Sequence, residues 1–429
     1  MPVARFSVEN YRSFAMRAEV ELRPLTLVFG RNSAGKSALL RVLPLLAEAA
    51  RTSTTDPITL GTPLTRKALF EDIRSRLTRH PWMRFSLEFV PEPGGVGFTF
   101  KVSDALENKQ QVLEEFSITE GARSLTAVWD VDEKAHVAHR LVWHNADTGA
   151  NASTLGRLNP FFRPLFGAVA MPSPEIALLG TQLRNALDLF ADGVHHLGAT
   201  RVSPERFLER IPARPARIEV DGSDALQRLA FDRMTPDRWP LHTRVESWFL
   251  QHFGHRLDLR AVSGSRLFRA LVAPRGGRAE IDLCDTGEGL AQVLPVLVAL
   301  AEVELRAAQS PQLLVLEQPE LHLHLDAQHT LMQMFCEVAA GPRPPTLLVE
   351  THSESMLVAL QRAIVEGRVP IDKVLVYVVR QDADGHSYAD RVTFDDEGYP
   401  SAAWPTEMFH EVVRSARALD LMRMKREHP

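Results

Sequence analysis

The stretch Gly30-Arg31-Asn32-Ser33-Ala34-Gly35-Lys36-Ser37 constrains this chain more than any other. It fills every fixed position of G-x-x-x-x-G-K-[ST], the pattern of a phosphate-binding loop. Its surroundings agree. Residues 25–29 form an apolar run that reads as a buried strand, and residues 37–43 open an apolar helix. In that order, backbone N–H groups and the start of the helix converge on one anion. Asn32, Ser33, Ala34 and Gly35 shape the cradle. Lys36 is then placed to reach the outer phosphates, and the Ser37 hydroxyl to ligate Mg²⁺.

Composition narrows the classes around this loop. With 429 residues the chain has room for two or three domains, or for one nucleotide-binding fold with insertions. Hydrophobic residues at 45% and charged residues at 24% indicate a globular chain, which excludes a disordered or fibrous one. A formal charge of −5 argues against a uniformly basic nucleic-acid binder, although a local basic patch is compatible with it. The two cysteines, Cys284 and Cys336, have neither disulfide-framework nor zinc spacing, so a reducing cytoplasm is the expected compartment. The first residues lack the apolar core of a signal peptide. The most apolar stretch, residues 290–305, is broken by Pro295 and Glu302 and reads as a buried helix, not a membrane span.

Along the chain, residues 4–8 and 19–22 pattern as strands around the turn Asn10-Tyr11-Arg12-Ser13-Phe14. Short alternating runs over residues 83–144 predict an antiparallel sheet inserted into the core, followed by a Pro- and Phe-rich connector over 151–174. Residues 174–253 read as mainly helical, with a short strand running into a loop over 194–201. From residue 289 helix and strand alternate, the signature of a parallel sheet. A hairpin over 374–394 and a terminal helix over 406–425 complete the chain. The expected division is a nucleotide-binding domain over 1–372 and a small α+β C-terminal module over 373–429.

Downstream motifs specify the kind of nucleotide site. Residues 313–316 are an apolar strand ending in Glu317, the form that brings a carboxylate to Mg²⁺ beside Ser37. Glu317 is thus the Walker B candidate. Residues 346–349 form a second such strand, followed by Glu350-Thr351-His352-Ser353, where a neutral His352 could sense a γ-phosphate or the attacking water. Between them lies Thr286-Gly287-Glu288-Gly289, two glycines at a helix start. Within one subunit it would be a phosphate cradle with no cargo, whereas across a head-to-tail dimer it would close on the partner's γ-phosphate.

Taken together, residues 10–14, 32–37, Glu317-Gln318-Pro319-Glu320-Leu321-His322-Leu323-His324 and Thr351-His352-Ser353-Glu354 resemble the AAA-labelled, ABC-like ATPases related to the OLD, RecF and SMC head domains. The tail, with Trp404-Pro405, is similar to a small module of unknown function on one branch of these proteins. The resemblance implies an α/β P-loop NTPase of ABC-ATPase type that binds ATP and Mg²⁺. It implies a homodimer or higher oligomer, with ATP sandwiched between one subunit's phosphate loop and the other's signature loop. It further implies control of a nucleic-acid process, or of a separately encoded effector such as a nuclease, in genome maintenance or phage defence, with DNA a candidate partner and no membrane involved.

One position departs from the pattern. Gln318 stands where a water-polarising glutamate is usual, and an amide cannot take a proton at neutral pH. Slow, switched hydrolysis, another base such as Glu320, and an engineered trap of the ATP dimer all fit. So does a nucleotide-gated scaffold that hardly turns over. His322 and His324 lack a third metal ligand nearby. Asp382 and Asp384 fall in a hairpin turn, and the 77 residues after His352 (429 − 352) leave little room for a nuclease domain. Arg201 and Arg206 are candidates to contact nucleotide or relay its state.

Overall fold

A computed structural model describes residues 2–52, 56–90, 95–105, 110–131, 137–146, 149–156, 174–234, 240–395 and 397–404. The terminal helix expected over 406–425 lies outside the described residues. In chain order, β1 (Val3–Glu9), β2 (Ala18–Glu21) and β3 (Leu25–Gly30) lead through the phosphate loop into α1 (Lys36–Leu40) and α2 (Val42–Arg51). The one-turn α3 (Phe70–Ile73) precedes β4 (Trp82–Phe89), β5 (Val96–Ala105), β6 (Gln110–Glu120), β7 (Arg123–Val131), β8 (Val137–Asn145) and β9 (Ala150–Gly156). Then come α4 (Pro174–Gly193), β10 (Val194–Leu197), β11 (Leu208–Glu209), α5 (Ala225–Met234), α6 (Leu241–Phe253), β12 (His255–Ala261), β13 (Leu267–Pro274) and β14 (Ile281–Asp282). The last part holds α7 (Glu288–Ala307), β15 (Leu313–Glu317), α8 (Leu325–Ala340), β16 (Thr346–Thr351), α9 (Glu354–Val365), β17 (Val374–Gln381) and β18 (Ser387–Val392).

The core is a six-stranded sheet in the order β10-β15-β16-β3-β17-β18, parallel except for its last strand. Its strands are near-continuous apolar runs because both faces are covered. Side chains alternate between the two faces. Leu25, Leu27, Leu314, Leu316, Leu347, Val349, Val376 and Val378 pack with α6, α7, α8 and α9, while Val28, Val315, Leu348 and Leu375 pack with α1, α2 and α4. The strand order is that of an α/β P-loop NTPase of ABC-ATPase type, with β16 inserted between the phosphate-loop strand and the acidic strand.

Two expectations change. The antiparallel sheet is not confined to residues 83–144: it runs β2-β1-β4-β5-β6-β7-β8-β9, joining the entry strands to β9 in the stretch read as a connector. The residues of β9, Ala-Asn-Ala-Ser-Thr-Leu-Gly, lack apolar alternation, and β9 is an edge strand. The hairpin assigned to a C-terminal module is built into the core. β17 pairs in parallel with β3, and six of its eight residues are buried.

The Glu302 that interrupts the apolar run of α7 is also explained. It is fully buried and held by Arg228 at 2.8 and 2.9 Å and by Arg306 at 2.6 Å, with Asp224 on the other side of Arg228. His195 on β10 is buried beside this cluster, with Nε2 3.1 Å from Gln312 Oε1. Burial, with the Arg306 charge adding to it, lowers its pKa from 6.5 to about 4. The unfolded chain therefore binds the extra proton between pH 6.5 and pH 4, so this group's stability is present above pH 6.5 and lost as pH falls toward 4. In urea unfolding across that window, His195→Gln is expected to remove about 3 kcal/mol of the pH-dependent loss.

Candidate functional site

The phosphate loop is fixed from three directions. Lys36 Nζ donates to the Arg31 carbonyl at 2.7 Å, closing the loop on itself. Ser387 Oγ, at the start of β18, lies 2.7 Å from the Ala34 carbonyl oxygen and 2.7 Å from Ser13 Oγ. The Ser387 N–H donates to the Ser13 carbonyl. Gly35 sits at φ 103, and a Cβ there would fall 2.7 Å from Ser13 Oγ, so only glycine fits. The 10–14 turn and the C-terminal hairpin thus clamp the loop from opposite ends of the sequence. Asn10 is itself fully buried, donating to the His80 and Trp82 carbonyls.

The two acidic strand ends lie side by side, with Glu317 opposite Glu350 in the β15–β16 register. The expectation that Glu317 stands beside Ser37 is not met. Its Oε1 takes Arg41 Nε at 2.6 Å and lies 2.9 Å from His196 Nε2, and its Oε2 takes the other Arg41 nitrogen at 2.6 Å. Arg41, on the helix that follows the loop, and His196 on β10 hold Glu317 there, while Glu350 ends the strand between β15 and β3. Ser37 Oγ donates to Glu350 Oε1 at 2.9 Å. Burial favours a neutral Glu317, but the Arg41 and His196 hydrogen bonds overcome it and hold the pKa at about 2. For Glu350 burial wins over the Ser37 hydrogen bond, and the Glu317 charge adds to it, so its pKa is raised.

An open cavity of about 230 Å³ has Lys36, Ser37, Gln318, Glu350 and His352 on its wall, together with Asn32, Ser33 and Gly35. His352 is kept neutral near pH 7 by burial, with the Lys36 charge acting in the same direction. Burial likewise lowers the Lys36 pKa, against the opposing charges of Glu350 and Glu320. Glu320 is not on this wall. Its Oε1 accepts from Thr351 Oγ1 at 2.7 Å and from the His352 N–H at 2.9 Å, which sets the loop before α9. Ser353 then caps that helix by accepting from the Met356 N–H.

Thr286, Gly287, Glu288 and Gly289 lie apart from this wall, at the start of α7. Arg201 bridges the two regions: it is buried and donates to the Gln318 carbonyl at 2.7 Å and to the Gln292 carbonyl at 3.1 Å. Arg206 binds Asp285 at 2.7 and 2.8 Å. His322 Nδ1 is 3.2 Å from Glu288, and Asp382 caps its own turn through the Asp384 and His386 N–H groups.

Sequence reading missed Arg41, His196, Glu350 and Ser387. Arg41 follows Ser37 by one helical turn, and Glu350 repeats the strand-plus-acid pattern of Glu317; both signals were there to read. For His196 and Ser387 there is no local signal.

The residues fit Mg²⁺-nucleotide. Ser37 and Glu350 present hard oxygen donors, and Glu350 Oε2 is buried without a hydrogen-bond partner. No group of three or more His, Cys, Asp or Glu side chains placed to hold a metal ion exists among the described residues.

Residues 205–358 match the family model described as "AAA domain, putative AbiEii toxin, Type IV TA system". Over that span the chain is similar to an AAA domain. The matched span includes residues 286–289, Glu317, Gln318 and His352, and the phosphate loop precedes it. No curated protein matches the sequence. Among solved structures the chain is similar to SMC head domains. One is the SmcHead bound to the C-winged helix domain of ScpA, at TM-score 0.43 and 12% identity, covering 92% of this chain and 98% of that one. The SMC head domain from Thermotoga maritima gives 0.42 and 10%, covering 91% and 98%. The Smc head domain with an extended coiled coil, bound to the C-terminal domain of ScpA and derived from Pyrococcus furiosus, gives 0.46 and 9%, covering 98% and 99%. The strand order, not these distant likenesses, carries the fold.

Ser387→Ala removes the hydroxyl that ties the loop to the hairpin and leaves the Ala34 carbonyl buried and unpaired. The expected cost is about 1–2 kcal/mol of unfolding free energy in urea, with weaker nucleotide binding measured alongside.

Proposed function

We propose that this chain is an ATPase that binds ATP with Mg²⁺, turns it over slowly, and acts as a head-to-tail dimer. The observation that carries the reading is the convergence of Lys36, Ser37, Gln318, Glu350 and His352 on one cavity. The loop N–H groups and Lys36 bind and orient the phosphate chain. Bound Mg²⁺ supplies neutralisation of charge on the β- and γ-phosphate oxygens. Gln318 holds water by hydrogen bonds without removing its proton, and neutral His352 offers one nitrogen to a γ-phosphate oxygen. Glu317 anchors Arg41 and His196, and so fixes the strand end from which Gln318 projects.

The signature loop supports a composite site. A side chain at Gly287 would meet nothing within 4 Å in its own subunit, so this glycine leaves space for an approaching group. A second copy bearing ATP is the partner that the family resemblance suggests. The same resemblance supports control of a nucleic-acid process or a separate effector, in genome maintenance or phage defence, within the cytoplasm. No helix among the described residues is long and apolar enough to cross a membrane.

A nucleotide-gated scaffold is the second reading, and the amide of Gln318 is what favours it. Single-turnover measurement separates the two: prompt ADP formation marks an ATPase, and ATP persisting in a stable dimer marks a scaffold.

Lys36→Ala is expected to abolish ATP binding in a fluorescent-nucleotide titration, and unchanged binding would defeat the reading. Gln318→Glu supplies a base, so steady-state turnover should rise by roughly 10²-fold, the lower end of general-base contributions. No rise would show that position 318 does not limit hydrolysis.

A further inference from the structure

We propose that Glu350, and not Glu317, is the carboxylate that holds the Mg²⁺ of bound ATP together with Ser37. The proposal rests on the ATP-binding reading above and names which acid serves that site.

Three observations carry it. Glu350 is the acid that touches the phosphate-loop serine, with Oε1 accepting from Ser37 Oγ at 2.9 Å. Its other oxygen is buried and has no hydrogen-bond partner, on a side chain 2% exposed that forms part of the cavity wall. A buried, unpartnered carboxylate oxygen calls for a cation or a donor. Glu317, by contrast, is already satisfied. A bidentate pair with Arg41 and the contact with His196 use both of its oxygens. To ligate a dication it would have to release a guanidinium that cannot lose its own charge, and hold two cations side by side.

Topology gives the same answer. β16 pairs with β3 on one side and β15 on the other, with Glu350 opposite Val28 and Glu317 opposite Glu350. A Mg²⁺ ion bound with phosphates takes one or two carboxylates, and Glu350 is the acid beside Ser37 that keeps one oxygen free.

The test is Mn²⁺ uptake by the full chain in the presence of ATP, read from the EPR signal of free Mn²⁺. Wild type is expected to take up Mn²⁺ with ATP. Glu350→Gln should weaken that uptake by roughly tenfold or more. It should still bind ATP in EDTA through Lys36 and the loop, which also shows that the variant folds. Glu350→Asp keeps a carboxylate and should recover part of the uptake. Glu317→Gln should leave Mn²⁺ uptake near that of wild type and lower the Tm instead. Loss of uptake in Glu317→Gln with Glu350→Gln unchanged would overturn the assignment, as would unchanged uptake in both. If wild type binds no ATP with or without metal, the nucleotide reading itself falls, a result distinct from either variant's failure.

Discussion

Two carboxylates at the ends of adjacent buried strands are the constraint on which this site depends. Glu317 and Glu350 are register partners, with side chains 3% and 2% exposed. Two charges about 5 Å apart repel by about 3 kcal/mol at an effective dielectric of about 20, and burial adds to that penalty. The fold resolves the conflict asymmetrically. Arg41, one helical turn past Ser37, and His196, at the edge of the core sheet, stabilise the charge on Glu317. Glu350 receives the neutral Ser37 hydroxyl, and the Lys36 charge acts on it without outweighing burial. One acid is held by a guanidinium, while the other stands on the cavity wall with one oxygen free of hydrogen bonds.

The same strand ends connect the site to the signature loop. Arg201 grips the Glu317 and Gln318 carbonyls and, on its other side, the Gln292 carbonyl in the first turns of α7. Burial pushes its pKa down, to about 10, yet leaves it charged near neutral pH. Arg206, five residues on, pairs with Asp282 and Asp285 just before that loop. A single short segment thus ties together the residues on the cavity wall and the start of α7. Those hydrogen bonds to carbonyls are directional, so the start of α7 and the Gln318 backbone must hold a fixed relation.

How much of this was legible in the sequence follows from the range of each interaction. The phosphate loop is a local motif, and its strand, turn and helix stand where the residues predict. The parallel core follows from apolar runs at residues 313–316 and 346–349, each buried on both faces. Strand order was not legible. Nothing in the run ending at Glu350 says that it lies between β3 and β15, yet that placement decides which acid meets Ser37. Ser387 is 350 residues from the loop it braces and sits in an ordinary hairpin. The edge strand β9 was hidden because its residues, Ala-Asn-Ala-Ser-Thr-Leu-Gly, carry no apolar alternation to detect.

The departure at position 318 acquires a physical reason once Glu350 is placed. Gln318 adopts φ 43, and its backbone N–H donates to the Glu350 carbonyl at 2.9 Å, so the two residues are tied through their backbones. A carboxylate there would be a third negative group beside Glu317 and Glu350, with Arg41 already committed. The amide avoids this repulsion. Glu317, Gln318 and Glu350 thus form one electrostatic arrangement: of two buried acids only Glu317 is hydrogen-bonded to a guanidinium, and the residue that follows it adds no further charge.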